Sequence, residues 1–283
     1  MLRKLTTIML QFPLFPALIN IISRINRPRF LTHFIIKLVF IKIYKVKTDE
    51  IEKPLSRYDS LIQFFTRKLK PGARSFPASS RAICSPVDAT VLNYGTVTDS
   101  TMLQAKGRYY NIRDFINPIS AARYLNGSYI TLYLAPDDYH RIHQPVNGEI
   151  FRTDYHPGRT LPVNSFSLHS FPDVFSKNKR IITYYKLKKK CIAMAMIGAL
   201  NVGQIELKYD PLFYKNRKKI KTEKGCYYSS QYRHLTVSTG EEAAVFKLGS
   251  CVILLLEKGL ATLAKIQTGV KIKAGTTLAK LNK

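Results

Sequence analysis

Cysteine is scarce and scattered in this 283-residue chain. Cys84, Cys191, Cys226 and Cys251 form no CxxC pair and no Cys/His cluster, which excludes zinc ribbons and fingers and leaves no metal centre to expect. No disulfide framework is needed, because a chain of this length buries a sizeable core, and a reduced, cytoplasmic setting is the simplest reading. Acidic residues are scarce too: 18 Asp and Glu stand against 45 Lys and Arg, a formal charge of +27. Such a surface seeks polyanions, either nucleic acid or an anionic lipid face. The runs "KLKKK" (186–190) and "KNRKKIK" (215–221) concentrate that charge, and each alone reads equally well as a solvated face. Zinc-finger spacing, an RNP-like aromatic motif and a basic heptad zipper are all missing, which argues against nucleic acid.

The N-terminus turns the argument toward lipid. Residues 5–23, "LTTIMLQFPLFPALINIIS", carry no charge and are long enough for a spanning helix, but Gln11, Pro13, Pro16 and Asn20 interrupt them. A second apolar stretch, 30–46, holds Lys37, Lys42 and Lys45, which can snorkel toward headgroups. With the "NRPR" break at 26–29, the two read as interfacial amphipathic helices. A spanning helix, a cleaved signal and a buried helical hairpin are the alternatives, and no small-residue cleavage site supports the signal.

Helical spacing continues over 58–69 and stops before Pro71-Gly72. Beyond residue 75 the texture changes to short strands punctuated by Gly, Pro, Asn and Asp, at 83–97, 128–134, 149–153, 191–207, 234–237, 243–257 and 263–281. The expected fold is α+β: an N-terminal helical, membrane-associating region over 1–75 and a β-rich domain over 76–283 with a barrel or sandwich core. The rhythm of "TGVKIKAGTTLAKL" (268–281) is that of a swinging-arm carrier hairpin, yet Lys273 reads more simply as a strand-end residue.

Three residues could form a nucleophilic set in the order Asp88, His143, Ser250. His140 and His143 lie three apart in "YLAPDDYHRIHQPVNG", where imidazole is the natural proton shuttle, although a structural role is equally open. Asp88 also reads as a turn aspartate bonded to its own backbone. A hydrolase is one reading, but the G-x-S-x-G elbow is missing around Ser250. In "FKLGSCVILLLEKG" (246–259) the serine follows Gly249 and precedes aliphatic residues, a place suited to attack on its own backbone. Gly249 is the least hindered acyl donor. Attack of the Ser250 hydroxyl on the Gly249 carbonyl would give an ester. Elimination from that ester, followed by hydrolysis with loss of ammonia, would leave an N-terminal pyruvoyl group. Such a ketone accepts electrons from a decarboxylation much as pyridoxal phosphate does.

With these residues in view, the chain resembles the short bacterial phosphatidylserine decarboxylases over almost all of 45–283. "FFTRKLKPGAR", "SPVDATV", "YLAPDDYHRIHQPVNG", "LPVNSF", "DVFSKNKR", "AMIGALNVGQI" and "GEEAAVFKLGSCVILLLEKG" match that family's segments in the same order. The resemblance implies a self-processing triad of Asp88, His143 and Ser250, with cleavage between Gly249 and Ser250. A β chain of 1–249 and an α chain of 250–283 would form a heterodimer, with a further dimer of these. It implies a pyruvoyl cofactor from Ser250, a decarboxylation role for His140, phosphatidylserine as substrate, and a peripheral place on the cytoplasmic face of the cell membrane. Asn164 and Arg180 could line a head-group pocket, or be a turn asparagine and a solvated arginine. Three departures stand out: "LGSC" for the usual LGST, no Met-Gly after Glu241-Glu242, and Lys179 where the pattern has glutamate. A serine hydrolase on the same triad and a basic peripheral membrane-binding protein are the competing readings.

Overall fold

The structure, a computed structural model, describes residues 29–199, 205–222, 225–247 and 250–283. The expected first helix, 5–23, and the expected cleavage-site residue Gly249 lie outside the described residues, as does the Ser250 side chain.

The run "CVILLL" forms the strand Ser250–Leu256 in the interior of a nine-stranded antiparallel sheet. The strand order is Lys218–Thr222, Gly225–Val237, Gly148–His156, Arg180–Leu187, Lys190–Gly198, Ser250–Leu256, Ser128–Leu134, Ala89–Thr96 and Lys271–Ile272. A strand apolar at every position must be covered on both faces, and this one is. Val252, Leu254 and Leu256 enter one core with Ile130, Leu132 and Met194. Cys251, Ile253 and Leu255 enter a second with Tyr110, Phe175 and Ile182. Each such side chain contributes about 1.5–3 kcal/mol by leaving water.

Two small antiparallel sheets roof the first core. One pairs Ala82–Cys84, Thr277–Leu281 and Ala261–Leu263; the other pairs Ile205–Leu207, Glu242–Phe246 and Arg141–His143. The second core is covered by the hairpin Thr101–Ala105/Arg108–Asn111 and by the short helices Ile112–Phe115, Ser165–Ser170 and Val174–Lys177. The expected α+β, strand-rich character is present. A closed barrel is not: the sheets of the described residues are open. One edge strand, Lys218–Thr222, is exposed at every position and carries Lys218, Lys219 and Lys221, and such an edge resists further pairing.

The N-terminal segment starts with the helix Arg29–Ile35 and runs on as wider π-helical turns over Ile36–Ile43. Ile36 and Phe40 pack into a third core with Tyr58, Phe64 and Phe65. The helix expected over 58–69 is shorter, Leu61–Phe65, capped by Ser60, whose hydroxyl accepts from the Gln63 N–H at 3.3 Å. It stops early because Arg67 turns inward, donating from Nη2 to the carbonyls of Asp137 (2.8 Å) and Asp138 (3.2 Å).

Candidate active site

Strand register gathers the candidate residues at one end of the large sheet. Ser250 lies opposite Leu134 on one side and Gly198 on the other. Leu134 ends its strand, and six residues later the chain has turned to His140. Thr90 pairs with Tyr133, so Asp88 stands just beyond its own strand at the same end. The strand Glu242–Phe246 climbs toward the same place, and the Phe246 N–H donates to the His140 carbonyl at 3.0 Å. Asp88, His140 and Ser250 thus leave three strand ends spaced about 4.8 Å apart.

His140 is fully buried, with its ring centroid 3.9 Å from that of Phe65. Its Nδ1 stands 2.8 Å from the Asp138 carbonyl. A carbonyl only accepts, so the ring proton is on Nδ1 and Nε2 presents a lone pair. Burial pushes the His140 pKa down to about 3, against the raising effect of the Asp138 carbonyl.

His143 repeats the arrangement. Its Nδ1 faces the Gly240 carbonyl at 2.7 Å, and its N–H donates to the Pro86 carbonyl at 2.8 Å. Burial lowers its pKa, while the Gly240 carbonyl, Glu242 and Asp88 pull upward. Both Nε2 atoms are buried without a hydrogen-bond partner among the described residues. Gly240 is required for this: at φ +90° it takes a left-handed turn, and a Cβ there would stand 2.9 Å from the Phe76 ring that packs on His143.

Asp88 does not touch His143. Its carboxylate accepts from Arg74 Nε at 2.7 Å, from Arg74 Nη2, and from the Ala274 N–H at 2.9 Å. A continuous Asp–His hydrogen bond is therefore not formed, and the carboxylate reaches His143 through space, favouring its protonated form. Arg74 is shared with Glu50 at 2.9 Å and lies over the Tyr139 ring, whose hydroxyl burial pushes up to about 12.

Sequence reasoning assigned no roles to Arg74, Arg67 or Asp138, although all three fall inside segments that carried the resemblance. Asp138 buttresses His140 with its carbonyl and accepts the Ala135 N–H on its carboxylate at 2.8 Å. Burial raises its pKa to about 6. Asn164 caps the helix Ser165–Ser170 by accepting from the Ser167 N–H at 2.9 Å. Arg180 is 3% exposed and donates to the carbonyls of Phe115, Ser176, Asn178 and Asp114, so it is a buried clamp and not a solvated arginine. Cys251 lies in the second core, where burial raises its thiol pKa and keeps it protonated. No group of three or more His, Cys, Asp or Glu among the described residues could hold a metal ion.

This end of the sheet can supply two neutral bases, the buried His140 and the half-buried His143, beside a serine backbone, with a carboxylate acting at a distance. A family described as phosphatidylserine decarboxylase matches residues 61–280. A phosphatidylserine decarboxylase proenzyme of Brevibacillus brevis is 36% identical over 244 residues, covering 85% of each chain. One from Legionella pneumophila is 34% identical over 266 residues, 93% of this chain and 89% of its own. One from Yersinia enterocolitica is 33% identical over 254 residues, 88% of this chain and 86% of its own.

Proposed function

The chain belongs to the phosphatidylserine decarboxylase family, and from that premise we propose which of its residues carry maturation and catalysis. The reaction removes the serine carboxylate of phosphatidylserine as CO2 and leaves phosphatidylethanolamine. Maturation comes first. His143 Nε2 takes the Ser250 hydroxyl proton, the oxygen attacks the Gly249 carbonyl, and Asp88 favours the imidazolium that results. The chain then divides into residues 1–249 and 250–283, with Ser250 becoming a pyruvoyl group. That ketone supplies the electron sink for decarboxylation. His140, the second base with an open Nε2, handles the proton delivered to the carbon that has lost CO2.

The observation that supports this reading most is the pair of imidazoles, one buried and one half-buried, each fixed by a carbonyl on Nδ1 and without an Nε2 partner among the described residues, at the sheet end where Ser250 begins its strand. Intact mass of the purified protein tests it. Two chains divided at 249/250, the smaller blocked to Edman sequencing, are expected. Ser250→Ala should abolish the division, His143→Ala should slow it severely, and His140→Ala should leave it intact while abolishing product. A single unblocked chain would favour a serine hydrolase or a membrane-binding protein with a structural core.

The substrate sits in a bilayer, and the N-terminal segment is suited to meet one. Phe30, Phe34, Leu38 and Ile43 are exposed, and Lys37, Lys42 and Lys45 are interspersed among and after them. Apolar residues flanked by cations bind an anionic leaflet through both contributions. Among the described residues no helix is long and apolar enough to cross a membrane. The proposed arrangement is a peripheral protein on the cytoplasmic face, with 1–75 as the membrane-associating region and 76–283 as the catalytic domain. The cleaved heterodimer pairs further with a second copy.

A further inference from the structure

Two arginines tie the turn that carries His140 to the segment that follows the helix Leu61–Phe65. Arg67 Nη2 donates to the carbonyls of Asp137 at 2.8 Å and Asp138 at 3.2 Å, and Arg141 Nε donates back to the Thr66 carbonyl at 3.0 Å. Between these ties the Phe65 ring lies on the His140 ring. The Asp138 carbonyl therefore takes two donors, Arg67 Nη2 and His140 Nδ1, one for each of its lone pairs. Arg141 also has a carboxylate partner, Glu242, at 2.7 Å. Arg67 is 4% exposed, and its Nε and Nη1 have no hydrogen-bond partner among the described residues. A buried guanidinium held by two backbone carbonyls costs the fold more than a well-packed apolar side chain of that volume would. What it contributes is the fixed direction of those carbonyls.

We propose that Arg67 is a positioning residue for His140, an inference that rests on the reading of His140 as the proton-handling group of decarboxylation. Arg67 holds the turn at 137–138 and so sets where the Asp138 carbonyl stands. That carbonyl keeps the ring proton of His140 on Nδ1, which leaves the lone pair on Nε2. Without Arg67 the carbonyl is free to swing away, and the ring reverts toward the Nε2–H form that free histidine favours. The cation acts in a second way, because it opposes the charging of His140 and so adds to the effect of burial. The other charges around the ring are met by partners. Lys271 Nζ faces the carboxylates of Asp137 at 2.6 Å and Asp138 at 3.2 Å, and Arg141 faces Glu242. His143 takes its carbonyl from Gly240 instead, so loss of Arg67 leaves the proposed maturation base supported.

The test compares wild type with Arg67→Met and Arg67→Lys, each as the full self-cleaving chain in mixed micelles of detergent and phosphatidylserine. The readouts are the rate of division into two chains by mass, kcat and KM for CO2 release, and the imidazole nitrogen shifts of isotope-labelled protein, assigned with His140→Gln. Arg67→Met should divide at the wild-type rate and keep its KM, while kcat falls roughly 10- to 100-fold. Its His140 signal should move from the Nδ1–H form toward the Nε2–H form and begin to charge at a higher pH than in wild type. Arg67→Lys brings one ammonium to the same carbonyls and should recover part of both kcat and the Nδ1–H signal. A wild-type kcat or an unchanged His140 signal in Arg67→Met would overturn the inference. So would a variant that divides as poorly as it decarboxylates, which marks a packing role. Where Arg67→Met does not fold, Arg67→Lys decides by the same readouts: intermediate kcat and an intermediate His140 signal support the inference, and wild-type values of both overturn it. His140→Ala with full wild-type kcat would instead sink the reading of His140 itself.

Discussion

Val252 through Leu256 are each at most 1% exposed, whereas Phe30, Phe34 and Ile43 in the N-terminal segment are 76, 61 and 63% exposed. The two regions are comparably apolar and use that character differently. On the central strand, burial stabilises the fold and fixes the level at which Ser250 begins. On the N-terminal segment only one face is used in this way, through Ile36 and Phe40 against Phe64, with ring centroids of Phe40 and Phe64 5.2 Å apart. The other face is exposed among the described residues. Apolar content alone says little; which face is already covered says where the proposed membrane contact would fall.

The comparison can be broken by substitution. The largest expected effect is that of Ser250→Ala, which should change cleavage from complete to absent, read by intact mass, while the fold persists. Next, Leu254→Ala should lower unfolding free energy by about 2–5 kcal/mol in denaturant titration; a loss as small as that of a surface change would show the strand to be less tightly enclosed than its exposure implies. Acid comes third. His140 and His143 have folded pKa values below their unfolded ones, so the unfolded chain binds more protons once pH drops below about 6.5. Their contribution is whole above that pH and is lost as pH falls toward the folded values, about 3 for His140. Between pH 6.5 and 4 His140 alone forfeits about 3 kcal/mol, and His140→Gln should flatten the stability curve over that range. Fourth, Phe30→Ser with Phe34→Ser should weaken sedimentation with anionic vesicles by roughly tenfold, yet shift stability by less than about 0.5 kcal/mol. A large stability loss instead would mean that this face is covered by protein. Smallest is Cys251→Thr, expected to change cleavage rate modestly; a chain that divides only as the Thr form would show that Cys251 disables maturation.

Much of the candidate site was legible in the sequence because its proposed chemistry is local. The paired histidines three residues apart and the Gly-Ser interruption of an apolar strand are visible without a fold. The partners that tune them are not. Arg74 as the partner of Asp88, and Gly240 as the acceptor for His143, depend on contacts between residues 14 and 97 positions apart. No periodicity encodes those. Strand 128–134 was legible, and 191–207 was only partly so, since it divides into Lys190–Gly198 and Ile205–Leu207. The strand Arg180–Leu187 was overlooked although "RIITYYKL" is rich in β-branched and aromatic residues. The charge run "KLKKK" was read as surface, and its Lys186, Lys188 and Lys189 are exposed; the hairpin turn within it, with Lys188 at φ 55°, was not read. A barrel and an open sheet share the same strand texture, and closure is decided at the edges, where the lysines of 218–221 leave one side unpaired.

The position of Ser250–Leu256 also bears on heredity. The segment 250–283 supplies an interior strand of the large sheet and, in Thr277–Leu281, the middle strand of a smaller one. Ser250–Leu256 is paired with a neighbour on each side at every one of its positions. A piece so placed has to be laid down with the rest, before the layers close. A gene divided at codon 250 is expected to yield no working pair. Made alone, the short product would be a naked apolar strand whose readiest companion is another copy of itself.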